Sequence, residues 1–95
     1  MSEVITAAVA ALNEKLTDGF EGTAKFVIED EGAIMMDEGG ARPGDDDAEV
    51  TLTADTDTFR SILDGDLNPT AAFMSGRLKI DGDMGAAMRL GSALA

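Results

Sequence analysis

The stretch Phe73–Met88, FMSGRLKIDGDMGAAM, decides how this chain folds. Its first residues finish a helical segment, LNPTAAFMSG, in which Asn68 caps, Pro69 takes the first helical position and Gly76 ends the helix. Ala72 and Phe73 are expected to face inward. RLKID then alternates, with Leu78 and Ile80 on one side and Arg77, Lys79 and Asp81 on the other, which predicts a strand. Gly82 turns and Asp83 caps a last helix, MGAAMRLGSAL. Its expected apolar stripe is Met84, Ala87, Met88, Gly91 and Leu94, with Leu90 beside it. No side chain in the stretch is a nucleophile with a partnered base.

Upstream, AEVTLTAD alternates Val50, Leu52 and Ala54 against Glu49, Thr51 and Thr53, again a strand. The period then changes from two to about 3.6. TDTFRSILDG places Phe59, Ile62 and Leu63 on one helical face, with Asp55 or Thr56 as cap and Gly65 as stop. Nearer the start, Ile5, Ala8, Val9, Leu12 and Leu16 share one face of a helix over residues 3–17, which Ser2 can cap and Gly19 can end. TAKFVIE and AIMMDE predict a hairpin through the EDEG turn. The second strand is apolar on both faces, Ile34 and Met36 opposite Ala33 and Met35, so one face can be core and the other a pocket wall or a subunit contact. GGARPGDDD (residues 39–47) reads as a long loop from its Gly, Pro and Asp content. The order is helix, three strands, two short helices, strand, helix: an α+β or mixed α/β arrangement, with one sheet covered on a single face.

At 95 residues the chain is expected to form one domain. Its net charge is −12, and seven scattered cations make no basic patch, so nucleic acid is not an expected partner. An anionic membrane surface would repel it on average. No apolar run reaches the length of a membrane span, so no stable insertion is expected. The N-terminus is a poor signal peptide. The expectation is a soluble, cytoplasmic protein.

Chemistry is scarce. The chain contains no His and no Cys, which removes the commonest catalytic base and the commonest soft metal ligands. Ser2, Ser61, Ser75 and Ser92 have no base to activate them. Twelve-residue windows from Asp45 and Asp64 lack the Gly and Glu that a calcium loop needs at positions six and twelve. No enzyme activity, metal or cofactor is expected. Beyond Met1 there are five methionines, Met35, Met36, Met74, Met84 and Met88. Methionine fills irregular space and adapts to changing contents. It serves as core filler or as the wall of a pliable apolar cavity, and periodicity does not separate these uses.

Residues 48–91 resemble the sterol carrier protein 2 family of lipid-binding domains. The likeness lies in the ordered run TAD, SILDGDLNP, NPTAAFMSG and GRLKIDGDMGAAMRL. Over residues 3–38 it rests on element order and on the GTAKFVIED strand. The resemblance implies a mostly antiparallel sheet of about five strands, with helices packed on one face around an apolar tunnel. The tunnel would take sterols, fatty acids or fatty acyl-CoA, without covalent chemistry. Carried over by position, Phe73, Met74, Leu78, Ile80, Met84 and Met88 would line or close it. Phe59, Ile62 and Leu63 would form its helical side, and Phe26, Ile28 and Leu52 its sheet side, where plain core is the expected role. Met84, Met88 and Leu94 would act as a flap. Ser75 stands where many eukaryotic members carry Gln, so a head-group contact there does not carry over. Two other readings fit the same scaffold. One is a protein-interaction module with a collapsed tunnel, for which a homodimer is a candidate state. The other is an accessory domain presenting lipid to an enzyme partner.

Overall fold

The computed structural model describes residues 3–94, and the expected cap Ser2 lies outside them. Helix α1 (Glu3–Lys15) is followed by strands β1 (Ala24–Ile28), β2 (Gly32–Asp37), β3 (Gly40–Pro43) and β4 (Val50–Ala54). Then come α2 (Thr56–Leu63), α3 (Pro69–Met74), β5 (Lys79–Gly82) and α4 (Met84–Leu94). The fold is α+β: one five-stranded sheet in the order β3-β2-β1-β4-β5, with four helices. Three ladders are antiparallel, and β1 runs parallel to β4 at the centre.

The register explains the core. Phe26 pairs with Ile34 on one side and Leu52 on the other, and Leu52 pairs with Ile80. Ala24, Met36, Ala41 and Val50 continue the same face, as period two requires. Against this face α1 lays Ile5, Ala8 and Leu12, α2 lays Phe59 and Ile62, and α4 lays Ala86, Leu90 and Leu94, all buried. Phe26 and Phe59 meet edge to face with ring centroids 4.4 Å apart, a favoured aromatic geometry.

Two sequence expectations change here. The stretch GGARPGDDD is not a loop throughout, because Gly40–Pro43 forms the edge strand β3. Asn13 holds it: its side-chain Nδ2 donates to the Ala41 carbonyl at 3.0 Å, and its Oδ1 accepts the Ala41 N–H at 2.8 Å. The amide thus supplies a pair of ladder-like bonds from a helix. Pro43 ends the strand at the sheet's edge, where its missing N–H costs least. The second change concerns Met35. It lies on the far face of the sheet yet is buried, since the backbone at Gly44 closes over its side chain. Beside it Lys25 binds the Asp45 carboxylate at 2.8 Å, which fastens the acidic loop to that face.

The caps follow the sequence. Asp55 accepts the Thr58 N–H at 2.7 Å to start α2, and Asn68 accepts the Thr70 N–H at 2.8 Å to start α3. Asp83 accepts the Gly85 N–H at 2.8 Å to start α4. Gly82 has a φ of +111°, and a side chain there would collide with the Glu49 carbonyl oxygen. This glycine therefore lets β5 lie close against β4 before the chain turns into α4.

Candidate functional site

An apolar cavity of about 440 Å³ opens between α3, β5 and α4. Its inner side comes from Leu52 and Ile80, paired across β4 and β5, and from Leu78 just before β5. Helix α3 contributes Pro69, Phe73 and Met74, and α4 contributes Met84, Ala87, Met88 and Gly91. Asn68, Thr70 and Ser92 are the polar lining residues, and no charged residue lines it.

Helix α4 explains how the cavity arises. Its apolar residues form two stripes. Ala86, Leu90 and Leu94, spaced by four, are buried against the sheet. Met84 and Met88, also spaced by four, look into the cavity instead. The single stripe read from the sequence joined members of both. A hydrophobic face broader than the sheet can cover leaves large side chains uncovered. Met74 is 81% exposed, Met88 72%, Met84 48% and Phe73 40%. These are the exposed large apolar side chains of the described residues, and all four border the same cavity. Scattered exposed apolar residues are ordinary, but a contiguous group of this kind makes the cavity a candidate interaction surface.

Of the ten expected site residues, the cavity brings together Phe73, Met74, Leu78, Ile80, Met84 and Met88. Leu52, expected to be core, adjoins them while remaining buried. Phe73 does not turn inward as Ala72 does; it faces the cavity. Ile62 and Leu94 lie in the core, 1% exposed, so Leu94 is placed away from the two rim methionines. Phe59 is buried and, with the half-buried Leu63, borders a second cavity of about 230 Å³ between α1 and α2. Phe26 and Ile28 are core. Ser75 lies outside the cavity lining, and its hydroxyl donates to the Ala72 carbonyl at 3.1 Å. The sequence reading missed Asn68, Thr70 and Ser92, which are near-neighbours of its apolar candidates.

The electrostatics of the site are those of an uncharged surface. Arg77 is near enough to Asp55 to help lower that carboxyl's pKa, after the larger effects of the Thr58 backbone and side-chain hydrogen bonds. Lys79 stands on the opposite sheet face from Ile80. Arg89 reaches toward Gly22 and Gly85. Among the described residues no group of His, Cys, Asp and Glu could hold a metal ion, and no helix is long and apolar enough to cross a membrane. The arrangement can exclude water from an apolar body and offer a few neutral hydrogen bonds.

Comparison with known proteins gives this architecture its kin. The chain is similar to hydroxysteroid dehydrogenase-like protein 2 of Xenopus laevis, 34% identical over 98 residues, a match covering 95% of this chain and 24% of that protein. It is similar to peroxisomal multifunctional enzyme A of Dictyostelium discoideum, 38% identical over 63 residues, covering 66% of this chain and 13% of that enzyme. The chain thus spans a quarter or less of these relatives' length. Among solved structures, sterol carrier protein-2 of Aedes aegypti, in complex with the C16 fatty acid palmitate, aligns with a TM-score of 0.79 at 25% identity. That alignment covers 100% of this chain and 97% of the mosquito protein. A family model described as the SCP-2 sterol transfer family matches residues 4–95, and the chain belongs to that family.

Proposed function

We propose that this chain binds an elongated apolar molecule of the lipid class in the cavity between α3, β5 and α4, without covalent chemistry. The observation that carries the reading is the set of exposed apolar side chains, Phe73, Met74, Met84 and Met88, gathered on one cavity. In free protein they face water. A ligand that covers them removes its own apolar surface and theirs from water at once. Each methylene buried contributes about 0.8 kcal/mol, so a ten-carbon chain contributes about 8 kcal/mol gross. Association costs roughly 4 kcal/mol or more, so longer chains should bind with higher affinity. The cavity falls within the roughly 300–1,000 Å³ of small-molecule sites. Methionine's flexible thioether suits a wall that must fit more than one shape. Membership of the SCP-2 sterol transfer family and the likeness to a palmitate complex support the same ligand class. Sterols, fatty acids and fatty acyl-CoA are the candidates.

Displacement of Nile red, an uncharged apolar dye, tests the reading. Saturable dye binding in the micromolar range, reversed by long-chain lipids, is expected. Absence of dye binding, together with absence of lipid adducts in native mass spectra, would overturn it.

A second reading builds on the first: the chain presents its lipid to an enzyme. It is favoured by the length of the relatives, in which the matched region is a minor part of a protein named for a dehydrogenase-like or multifunctional enzyme. A dehydrogenase of the host that turns over lipid faster when the lipid is supplied on this chain than when it is free would support it. Equal rates would oppose it.

A further inference from the structure

We propose that the α3–α4 cavity selects an uncharged lipid alcohol over an ionised lipid of the same chain length, with the hydroxyl seated among Asn68, Thr70 and Ser92. The inference rests on the lipid-binding reading and specifies its ligand.

The chain has seven cations, and none lines the cavity. Lys25 and Arg42 are held by Asp45 and Asp37, each at 2.8 Å. Arg60 borders the other cavity, beyond α2, and Lys15 lies at the end of α1. Arg77, Lys79 and Arg89 are the cations next in sequence to lining residues. Lys79 stands on the opposite sheet face and Arg89 reaches toward Gly22 and Gly85, while Arg77 is outside the lining. Asn68, Thr70 and Ser92 are exposed, so a carboxylate or phosphate seated among them would keep part of its water, but it would meet no cation, in a protein of net charge −12. The start of α4, whose free N–H groups could otherwise attract an anion, is already occupied by the carboxylate of Asp83.

The neutral polar groups gather at one end of the cavity. A β-carbon built on Gly91 would sit 3.8 Å from the Pro69 Cβ. This approach brings the end of α4, with Ser92, beside the start of α3, with Asn68 and Thr70. Met84 lies at the other end of α4, eight residues and about 12 Å from Ser92 along the helix axis. The cavity therefore has a polar end and an apolar end, as an amphiphile does. The Asn68 Oδ1 is used in capping α3, but its amide nitrogen and the hydroxyls of Thr70 and Ser92 have no hydrogen-bond partner among the described residues. They offer a donor and two donor–acceptors, a set that satisfies a hydroxyl and does not neutralise a charge.

The test is competition against Nile red by dodecanol and by dodecanoate at neutral pH, with cholesterol as a further arm that tells a chain alcohol from a ring alcohol. Dodecanol is expected to bind roughly tenfold more tightly than dodecanoate, and the gap to narrow as salt screens the acidic surface. The double variant Thr70→Val with Ser92→Ala should weaken dodecanol several-fold and narrow its advantage over dodecanoate. Ser92→Lys, at an exposed position, should raise dodecanoate affinity about tenfold through a charge-assisted bond. Dodecanoate binding as tightly as dodecanol, or a double variant with an unchanged ratio, overturns the inference and leaves the lipid reading standing. Failure of all three lipids to displace the dye overturns both.

Discussion

Replacing Met88 with aspartate separates the cavity from the fold. Met88 is 72% exposed, so the free protein buries little of it. The folded chain loses only helix propensity at this position, about 0.5 kcal/mol. A bound ligand that covers the same side chain gains roughly 1–2 kcal/mol from it, since full burial of a methionine is worth about 1.5–3. Aspartate forfeits that gain and adds the desolvation of a carboxylate against the ligand, several kcal/mol where it is trapped. Affinity should fall at least tenfold, at about 1.4 kcal/mol per factor of ten. Leu90→Ala, two positions along the same helix, is the counterpart: Leu90 is fully buried, and its truncation should cost about 2–5 kcal/mol of stability. The assay pairs Nile red titration with urea unfolding for both variants. Met88→Leu should bind the dye nearly as the parent does, because volume and polarity are kept. Wild-type binding by Met88→Asp would show that the ligand does not touch this face of α4. A stability loss like that of Leu90→Ala would show that the two stripes of α4 are misassigned.

Two further outcomes concern how the scaffold is held. Asn13→Ala should cost about 1–3 kcal/mol, because the Ala41 N–H and carbonyl lose both partners at a buried edge; hydrogen exchange at Ala41 should speed up first, and unchanged protection there would refute the role given to Asn13. Asp55 governs part of the acid response. Thr58's backbone N–H, its side chain and then Arg77 hold the Asp55 carboxyl below its ordinary pKa, so on acidification the unfolded chain takes up this proton before the folded one. The stabilisation is complete above the ordinary value of about 3.9 and is lost as the pH falls through the lower folded value. Asp55→Asn keeps a capping oxygen but does not titrate, so its urea midpoint should fall less steeply below about pH 4; an unchanged slope would count against this account.

Much of the architecture was legible in local pattern. The alternation of AEVTLTAD, the caps at Asp55, Asn68 and Asp83, and the run GRLKIDGDMGAAMRL each correspond to an observed element. Strand β3 was not legible, because Gly40–Pro43 has the composition of a turn. Its strand geometry comes from the antiparallel ladder to β2, and its outer edge is bonded by Asn13, 28 positions away, which no local window contains. Met35 was ambiguous for a related reason: the chain at Gly44, nine positions on, closes over it. The site was half legible. Periodicity places a residue on a face of its helix but does not say how far the sheet extends beneath that face. Leu94 and Met88 both read as members of one apolar stripe and of a flap, yet one meets the sheet and the other overhangs the cavity. Asn68, Thr70 and Ser92 were hidden because polar residues at helix ends are expected for capping alone.

The methionines allow a direct test of where the ligand goes, because they are distributed as probe and control. Met74, Met84 and Met88 border the cavity, while Met36 is sealed in the core and Met35 lies under the loop on the far side of the sheet. Methyl NMR of methionine-labelled protein, titrated with dodecanol, reads all five at once. The account predicts saturable shifts at Met74, Met84 and Met88, with Met35 and Met36 essentially still. Shifts centred on Met35 or Met36, or no shift at the three cavity methyls at saturating lipid, would contradict it.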